Sequence, residues 1–160
     1  MATSPIKKKI VIIGSSNTDM VIRTPQIPRP GETVLGGEFL MAPGGKGANQ
    51  AVAAARAGGN VHFIARVGDD IFGRKSLEGF AGAGIHTGHI TRDKNAPSGV
   101  ALIVVGPDGQ NCIAVASGAN ARLSVADVRK AKGIISSADI VLLQLESPLE
   151  TVREGVEIAA

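Results

Sequence analysis

Three short stretches rich in apolar residues recur along the chain. Residues 10–13 form an unbroken β-branched run that ends at Gly14, and residues 61–67 and 139–145 are similar, each followed by a break. A strand covered on both faces is apolar throughout, whereas a half-exposed strand alternates between apolar and polar positions. The three stretches therefore predict buried, parallel strands at the centre of a sheet.

Helical patterns lie between these strands. They occupy an alanine-rich stretch at residues 48–57, and then residues 72–83 and 125–135. Strands that alternate with helices are joined by right-handed crossovers, which place the helices on the faces of a parallel sheet. The sequence therefore predicts an α/β fold with a mostly parallel central sheet flanked by helices.

Two further regions alternate with a period of two, which is typical of strands with one solvent-facing side. The first spans residues 32–41. The second runs over residues 100–105, turns at Gly106-Pro107-Asp108-Gly109 and returns over residues 112–116, which is the pattern of a β-hairpin. We expect these segments to form a small second sheet beside the core, and such a flap suggests a lid.

The last residues predict a helix. Ser147 is placed to cap it, Pro148 suits its first position, and Glu150 completes a Ser-x-x-Glu capping box. With only three core strands predicted, that helix has no following strand to pack beside. We therefore expect the 160 residues to be the amino-terminal part of a single larger domain that is incomplete at its carboxyl end.

Composition narrows the functional classes. The chain of 160 residues is 44% hydrophobic, which is enough for one folded domain with a sizeable core. Its 17 Lys and Arg against 14 Asp and Glu give a net charge of only +3, and Trp and Tyr are absent, so nucleic-acid binding is not expected. One cysteine excludes an intramolecular disulfide, no segment is long and apolar enough to span a membrane, and we expect a cytoplasmic protein.

A glycine-rich turn that leads straight into a predicted helix is the sharpest chemical feature. It consists of Gly44-Gly45-Lys46-Gly47-Ala48-Asn49-Gln50. Glycine allows close backbone approach, and free N–H groups at a helix start can donate to ligand oxygens. The segment is not a Walker A loop, because Gly47 stands where Ser or Thr would hold magnesium, and it does not match Gly-x-Gly-x-x-Gly. On the residues alone it is either a ligand-binding turn or simply a tight one.

Three polar side chains follow the ends of predicted core strands. Asn17 and Asp19 come just after residues 10–13, and Glu146 directly follows the last apolar stretch. In open α/β sheets ligands bind at the carboxyl ends of the strands, and amide and carboxylate groups suit sugar hydroxyls. The alternatives are an ordinary turn at Asn17 and Asp19, and a Glu146 that merely precedes the helix cap.

Together these residues resemble the ribokinase family of PfkB-type sugar kinases, from about Ile10 to the last residue. The glycine-rich turn, with Ala51, Gly58 and Gly68 downstream, is similar to the first signature of that family in residue type and spacing. The other similar segments are Pro30-Gly31-Glu32-Thr33, the hairpin at residues 99–116, Ser117-Gly118-Ala119-Asn120 and Gln144-Leu145-Glu146-Ser147-Pro148.

The resemblance implies a sugar-binding site beneath a lid. It implies that Asn17 and Asp19 grip ribose hydroxyls and that Glu146 contacts the sugar from the opposite strand. It also implies that the sugar pocket is lined by residues of the glycine-rich turn, namely Gly44, Gly45, Lys46, Gly47 and Asn49. Lid segments at about residues 32–41 and 99–116 would close over the sugar and pack against a second subunit, giving a homodimer.

The sequence also departs from that family. Family members are longer, and their second half carries an Asn-x-x-Glu motif, a nucleotide loop and a Gly-Ala-Gly-Asp segment whose Asp is the catalytic base. None of these motifs occurs in the sequence, and the nearest segment, Ala81-Gly82-Ala83-Gly84, continues with Ile85 in place of the acid. We therefore expect no catalytic residue and no metal ligand in these residues, and sites for ATP, Mg²⁺ and a monovalent cation such as K⁺ that lie mostly outside them.

The function that the resemblance implies is ATP-dependent phosphorylation of D-ribose to ribose 5-phosphate, with this chain carrying the sugar-binding half. One alternative is another PfkB-type kinase that acts on fructose, deoxyribose or a nucleoside. An alternative of another class is a non-catalytic sugar-binding or dimerisation module, which the missing base favours. We expect no membrane partner and no nucleic-acid partner.

Overall fold

The structure, a computed structural model, describes residues 7–160. These residues form eight strands and five helices. In chain order they are β1 (Lys9–Ile13), β2 (Asn17–Arg23), β3 (Glu38–Gly44), α1 (Lys46–Arg56), β4 (Asn60–Gly68), α2 (Ile71–Gly82), β5 (Ile90–Asp93), β6 (Gly99–Val105), β7 (Asn111–Ala116), α3 (Val125–Lys130), α4 (Lys132–Ser136), β8 (Ile140–Leu143) and α5 (Leu149–Ala159). A short 3₁₀ helix at Gly118–Arg122 follows β7.

The core sheet has the strand order β5-β4-β1-β8, and every pair in it is parallel. Strand β1 lies inside the sheet, and its residues Val11, Ile12 and Ile13 are fully buried. Ile12 packs with apolar residues of α1 and α2, whereas Val11 and Ile13 pack with residues of α3 and α4 on the other face. Burial on both faces explains why this strand is apolar without alternation.

The second sheet has the strand order β3-β2-β6-β7. Strands β2 and β6 pair in parallel, and β3 and β7 flank them antiparallel. The hairpin between β6 and β7 turns where the sequence predicted, with Gly109 at a φ of 82°. The prediction of an α/β fold with a central parallel sheet, flanking helices and a second small sheet is therefore confirmed.

Three strand predictions differ from the structure. The core sheet has four strands, because the short β5 extends it beside β4, and its four residues were too few to give a periodic signal. Strand β2 begins at Asn17, where the sequence predicted no strand and an ordinary turn was one of the alternatives. The strand predicted over residues 32–41 begins at Glu38, and residues 32–37 are turn or coil, with Gly36 and Gly37 at positive φ.

The helices show two further differences. The helix predicted over residues 125–135 is split into α3 and α4, which meet at Ala131. The capping box predicted at Ser147 is wrong, because α5 begins one residue later than that box requires and its N-cap is Pro148, without a side-chain cap. The structure places a capping box at Ser124 and Asp127 instead. Within residues 7–160, no helix combines the length and the apolar character needed to cross a membrane.

Candidate functional site

The link between β1 and β2 carries the chain from the core sheet to the second sheet in three residues. Ser15 and Ser16 in this link are buried, and β2 then opens with Asn17, which is also buried. Asp19, two residues further, points to the same face of β2 as Asn17, because side chains alternate along a strand. The structure thus puts Asn17 and Asp19 on the first residues of a strand at the carboxyl end of β1.

Helix α1 starts directly against this link. The Ala48 N–H donates to the Ser15 carbonyl at 2.9 Å, and Gly45, the N-cap, has a φ of 90°. A Cβ atom on Gly45 would lie 2.9 Å from Ser16 Cα, and one on Gly47 would lie 2.6 Å from Ser15 N. Both distances are too short for a real side chain, so the glycines are what allows the helix start to dock on the end of β1.

Glu146 reaches the same place from β8. Strands β1 and β8 pair in parallel with Ile13 opposite Leu143, so the residues that follow them meet at one edge of the sheet. Ser15 Oγ donates to Glu146 Oε2 at 2.7 Å, and the Lys46 backbone N–H donates to the same oxygen at 3.2 Å. The Lys46 ammonium pairs with Glu146 Oε1. The structure therefore brings Glu146, Lys46 and the β1 end together.

The two carboxylates of this edge have opposite pKa shifts. For Glu146, burial alone would disfavour the charged form, but hydrogen bonds from the Lys46 side chain, Ser15 and the Lys46 amide outweigh it and hold the pKa below its usual value. For Asp19, burial and then the negative charge of Glu146 raise the pKa above its usual value. The Asp19 carboxylate lies against Gly44, where a Cβ atom would overlap it. Among the described residues 7–160, no cationic side chain forms an ion pair with Asp19, and its carboxylate lies near the anionic Glu146.

Asn120 is a site residue that the analysis of single residues missed. It lies in the 3₁₀ helix after β7 and is 3% exposed. Its Oδ1 accepts from the Ser16 N–H at 2.9 Å, and its Nδ2 donates to the Ser16 carbonyl at 3.0 Å and to Asn17 Oδ1 at 2.7 Å. The only signal for it in the sequence was its place in the Ser-Gly-Ala-Asn segment, which entered through the family resemblance and pointed to no contact.

The predicted site residues fall into two groups. A pocket of about 450 Å³ lies between α1, α2 and β3, and its lining includes Asn17, Gly44 and Asn49 together with Val52 and Phe72. The other predicted residues are not among its lining residues and lie at the neighbouring sheet edge, namely Asp19, Gly45, Lys46, Gly47 and Glu146. Asn17 and Gly44 link the groups, since they are paired across β2 and β3.

Metal and cofactor ligands do not emerge from the described part of the chain. Across residues 7–160, no cluster of three or more His, Cys, Asp or Glu side chains could hold a metal ion. The side chains of the candidate site are hydrogen-bond donors and acceptors of a size and spacing suited to a small polyhydroxylated molecule. We assign no residue of this chain to a nucleotide or to a metal.

Comparison with known proteins gives a consistent result. Residues 7–160 match the sequence profile of the pfkB family carbohydrate kinases. The chain is 44% identical over 155 residues to a ribokinase of Haemophilus influenzae and 41% identical over 150 residues to one of Mus musculus, covering 97% and 94% of this chain. It spans only 49% and 46% of those relatives, about half of their length.

A solved structure supports the same relationship. The Arabidopsis thaliana ribokinase complexed with ribose and ATP superposes with a TM-score of 0.79 at 30% identity. The match covers 97% of this chain and 52% of that one.

Proposed function

Because the chain belongs to the pfkB family of carbohydrate kinases, we propose that the protein phosphorylates D-ribose to ribose 5-phosphate with ATP and that these residues form its sugar-binding half. The observation that carries the proposal is the convergence of Asp19, Lys46 and Glu146 at the carboxyl edge of the core sheet. This convergence occurs in a chain that is 44% identical to a ribokinase.

The sugar would lie between the second sheet and the start of α1. Asp19 accepts hydrogen bonds from two ribose hydroxyls, which supply the donors that its carboxylate lacks in the free protein. Gly45 and Gly47 let the start of α1 dock on the end of β1, and Gly44 leaves room for the Asp19 carboxylate, so the glycines hold the α1 start close to Asp19. Asn49 contacts the sugar from the pocket, Lys46 contacts it from the start of α1, and Glu146 contacts it from the β8 side while Ser15 holds the Glu146 carboxylate in place.

The chain contributes binding and orientation to the reaction. It fixes the ribose so that its 5-hydroxyl faces the nucleotide, and holding reactants in a productive geometry accounts for much of the barrier reduction in phosphoryl transfer. A general base for that hydroxyl is not among these residues, so no proton-transfer step is assigned to them. ATP as the donor is supported by the relative whose structure holds ribose and ATP. Magnesium, which would neutralise phosphate charge, and a monovalent cation such as K⁺ belong to the proposal through the family alone.

The second sheet would act as the lid. One of its faces carries Asp19 together with Leu40, Ile113 and Val115, whose large side chains are exposed in the free protein. Closure of this face over the sugar would cover those side chains and exclude water from the reaction. The opposite face would pack against a second copy, giving a homodimer, and we place the enzyme in the cytoplasm.

The proposal is tested by sugar-dependent ADP release from the full-length protein with ATP, Mg²⁺ and K⁺. We expect the highest kcat/KM for D-ribose among D-ribose, 2-deoxy-D-ribose, D-fructose and adenosine, and a 5-phosphate product by ³¹P NMR. A higher kcat/KM for another of these substrates would assign the protein to a different kinase of the family. Sugar binding without ADP release would instead support a non-catalytic sugar-binding module.

A further inference from the structure

The side-chain amide of Asn120 has only one orientation that fits its surroundings. Its Oδ1 faces the Ser16 N–H, which can only donate, and its Nδ2 faces the Ser16 carbonyl, which can only accept. These two backbone groups come from one residue and fix which end of the Asn120 amide is oxygen. Asn120 is 3% exposed, so water does not compete for either bond.

The orientation of the Asn120 amide determines the orientation of the Asn17 amide. The atom of Asn17 that meets Asn120 Nδ2 at 2.7 Å must be an acceptor, and it is therefore Oδ1. The Asn17 Nδ2 group then turns away from Asn120. Within residues 7–160, Asn17 Nδ2 donates to no protein acceptor. The buried side-chain atoms without a partner in these residues are Gln144 Oε1 and Ser147 Oγ, so Asn17 Nδ2 is not fully buried. Asn17 itself lines the 450 Å³ pocket, so this donor is available to a ligand there.

The backbone around this amide pair is built to admit it. Gly99 lies opposite Asn17 in the pairing of β2 and β6. A Cβ atom on Gly99 would collide with both Asn120 Nδ2 and Asn17 Oδ1. The hydrogen bond between the two amides therefore depends on a glycine in the second sheet, on β2, and on the chain that leaves β7.

We propose that Asn120 is a positioning residue that makes Asn17 a hydrogen-bond donor to the sugar, so that one ribose hydroxyl oxygen accepts from Asn17 Nδ2. The inference deepens the proposed function and rests on it. Asp19 on the same face of β2 can only accept when it is charged. Asn17 then donates a hydrogen bond to a sugar hydroxyl, whereas Asp19 accepts hydrogen bonds from sugar hydroxyls.

Fluorinated sugars test the polarity of this contact. A C–F group accepts a hydrogen bond weakly and cannot donate one, so a donor at Asn17 tolerates fluorine better than an acceptor does. The substitution Asn120→Asp replaces the donor that faces Asn17 with a second acceptor, which favours the flipped Asn17 amide with Oδ1 toward the sugar. We measure the dissociation constants of D-ribose and of its 2- and 3-deoxyfluoro analogues in the full-length protein by calorimetry.

The penalty for fluorine is the affinity ratio of ribose to each analogue. In Asn120→Asp we expect this penalty to rise by roughly ten-fold at one position, since an unpaired acceptor then remains beside the fluorine. In Asn120→Ala the Asn17 amide is released, and we expect ribose affinity to fall by about five-fold with the ATP KM unchanged. The matched control Asn60→Asp, whose exposed amide contacts His86, should change neither quantity.

The outcomes separate the two claims. If Asn120→Asp still binds ribose and its fluorine penalties at the 2- and 3-positions equal those of the wild-type protein, the inference is overturned. The proposed function then remains intact. If Asn120→Asp does not bind ribose, Asn120→Ala decides, and an unchanged ribose affinity in that folded variant overturns the inference as well. A wild-type protein that binds none of the sugars overturns the proposed function and this inference with it.

Discussion

Asp19 and Glu146 lie at one edge of the core sheet, yet the protein treats their charges differently. The Glu146 carboxylate accepts a hydrogen bond from Ser15 and pairs with Lys46 in the free protein, whereas Asp19 has a raised pKa and no cationic partner in the part of the chain that the structure describes. A carboxylate that lacks partners in the free protein can gain them from a ligand. We therefore expect the proposed sugar-binding role of Asp19 to come with lower stability of the free protein.

The substitution Asp19→Asn tests this trade-off. The folded-state pKa of Asp19 is raised, so its carboxylate lowers stability as pH rises through that pKa, and the neutral amide removes this loss. We expect a higher Tm at pH 7 without ribose and a dissociation constant for ribose about ten- to one hundred-fold larger, because charge-assisted hydrogen bonds are lost.

Calorimetric titration and thermal melts of the full-length protein check both effects. The control is Glu78→Gln on the exposed surface of α2, which should leave ribose affinity unchanged. Unchanged ribose affinity in a folded Asp19→Asn protein would remove Asp19 from the site.

Part of this residue-scale arrangement could be predicted from the sequence. Glu146 was placed near Asn17 and Asp19 because parallel strands bring their carboxyl ends to one edge, and the ion pair with Lys46 agrees with that placement. The Asn17–Asn120 hydrogen bond could not be predicted, since it joins residues 103 positions apart and neither strand pattern nor composition encodes it.

Among the elements, helix α1 is flanked by glycines of two different kinds. Gly45 and Gly58, near the two ends of α1, have almost the same positive φ, 90° and 92°. A Cβ atom on Gly45 would meet backbone atoms of Ser16 and Asn17, whereas one on Gly58 would meet nothing within 4 Å. Close docking of the helix on the β1 end is thus a separate requirement from backbone conformation.

Alanine substitutions separate the two requirements. Gly58→Ala should cost about 1 to 2 kcal/mol for its left-handed conformation alone. Gly45→Ala should cost roughly 1 to 3 kcal/mol more, because the backbone must also shift away from the link. Urea denaturation measures both free energies of unfolding, and equal costs would show that the close approach at Gly45 contributes nothing.

Two serines test which helix is capped. Ser124 caps α3 and accepts from the Asp127 N–H, whereas the Ser147 hydroxyl is buried without a partner before α5. Ser124→Ala should cost about 0.5 to 2 kcal/mol, and Ser147→Ala should leave stability unchanged or slightly raise it, since an unsatisfied polar group is removed. Thermal unfolding of both variants measures these changes in stability. A larger loss of stability in Ser147→Ala than in Ser124→Ala would support the capping box predicted at Ser147.

The failed element predictions have common physical causes. The Ser-x-x-Glu pattern at Ser147 fits a capping box in composition, but Pro148 takes the N-cap position, and the pattern does not encode that one-residue difference. Strand β2 was not predicted because its first three residues, Asn17, Thr18 and Asp19, are all polar. The long apolar strands and the hairpin turn carried strong local signals and were predicted.

In the whole molecule, both faces of the second sheet carry exposed apolar side chains. Cross-strand pairing puts Ile22, Phe39, Met41 and Leu102 on the face opposite Asp19, and all four are exposed. Strands β3 and β7 are also open edges. A contiguous apolar sheet face of this kind is typical of an interface.

The dimer proposal is tested by Leu102→Asp. A charge at the centre of the face should convert a homodimer to a monomer, because an unpaired carboxylate would be buried at the interface. Sedimentation equilibrium of the full-length protein at micromolar concentration measures the mass. Ile71→Asp on the exposed start of α2 is the control and should stay dimeric. A monomeric wild-type protein would contradict the proposed homodimer.

The central claim is that residues 7–160 hold the ribose at the junction of β1, β2, α1 and β8, and hydrogen–deuterium exchange with D-ribose tests it directly. The full-length protein is compared with and without saturating ribose, with binding verified by calorimetry. We expect slower amide exchange in residues 14–20, 44–50 and 144–147, and no change in residues 125–136 at α3 and α4. Ribose that binds without protecting those three segments, or that does not bind at all, would contradict it.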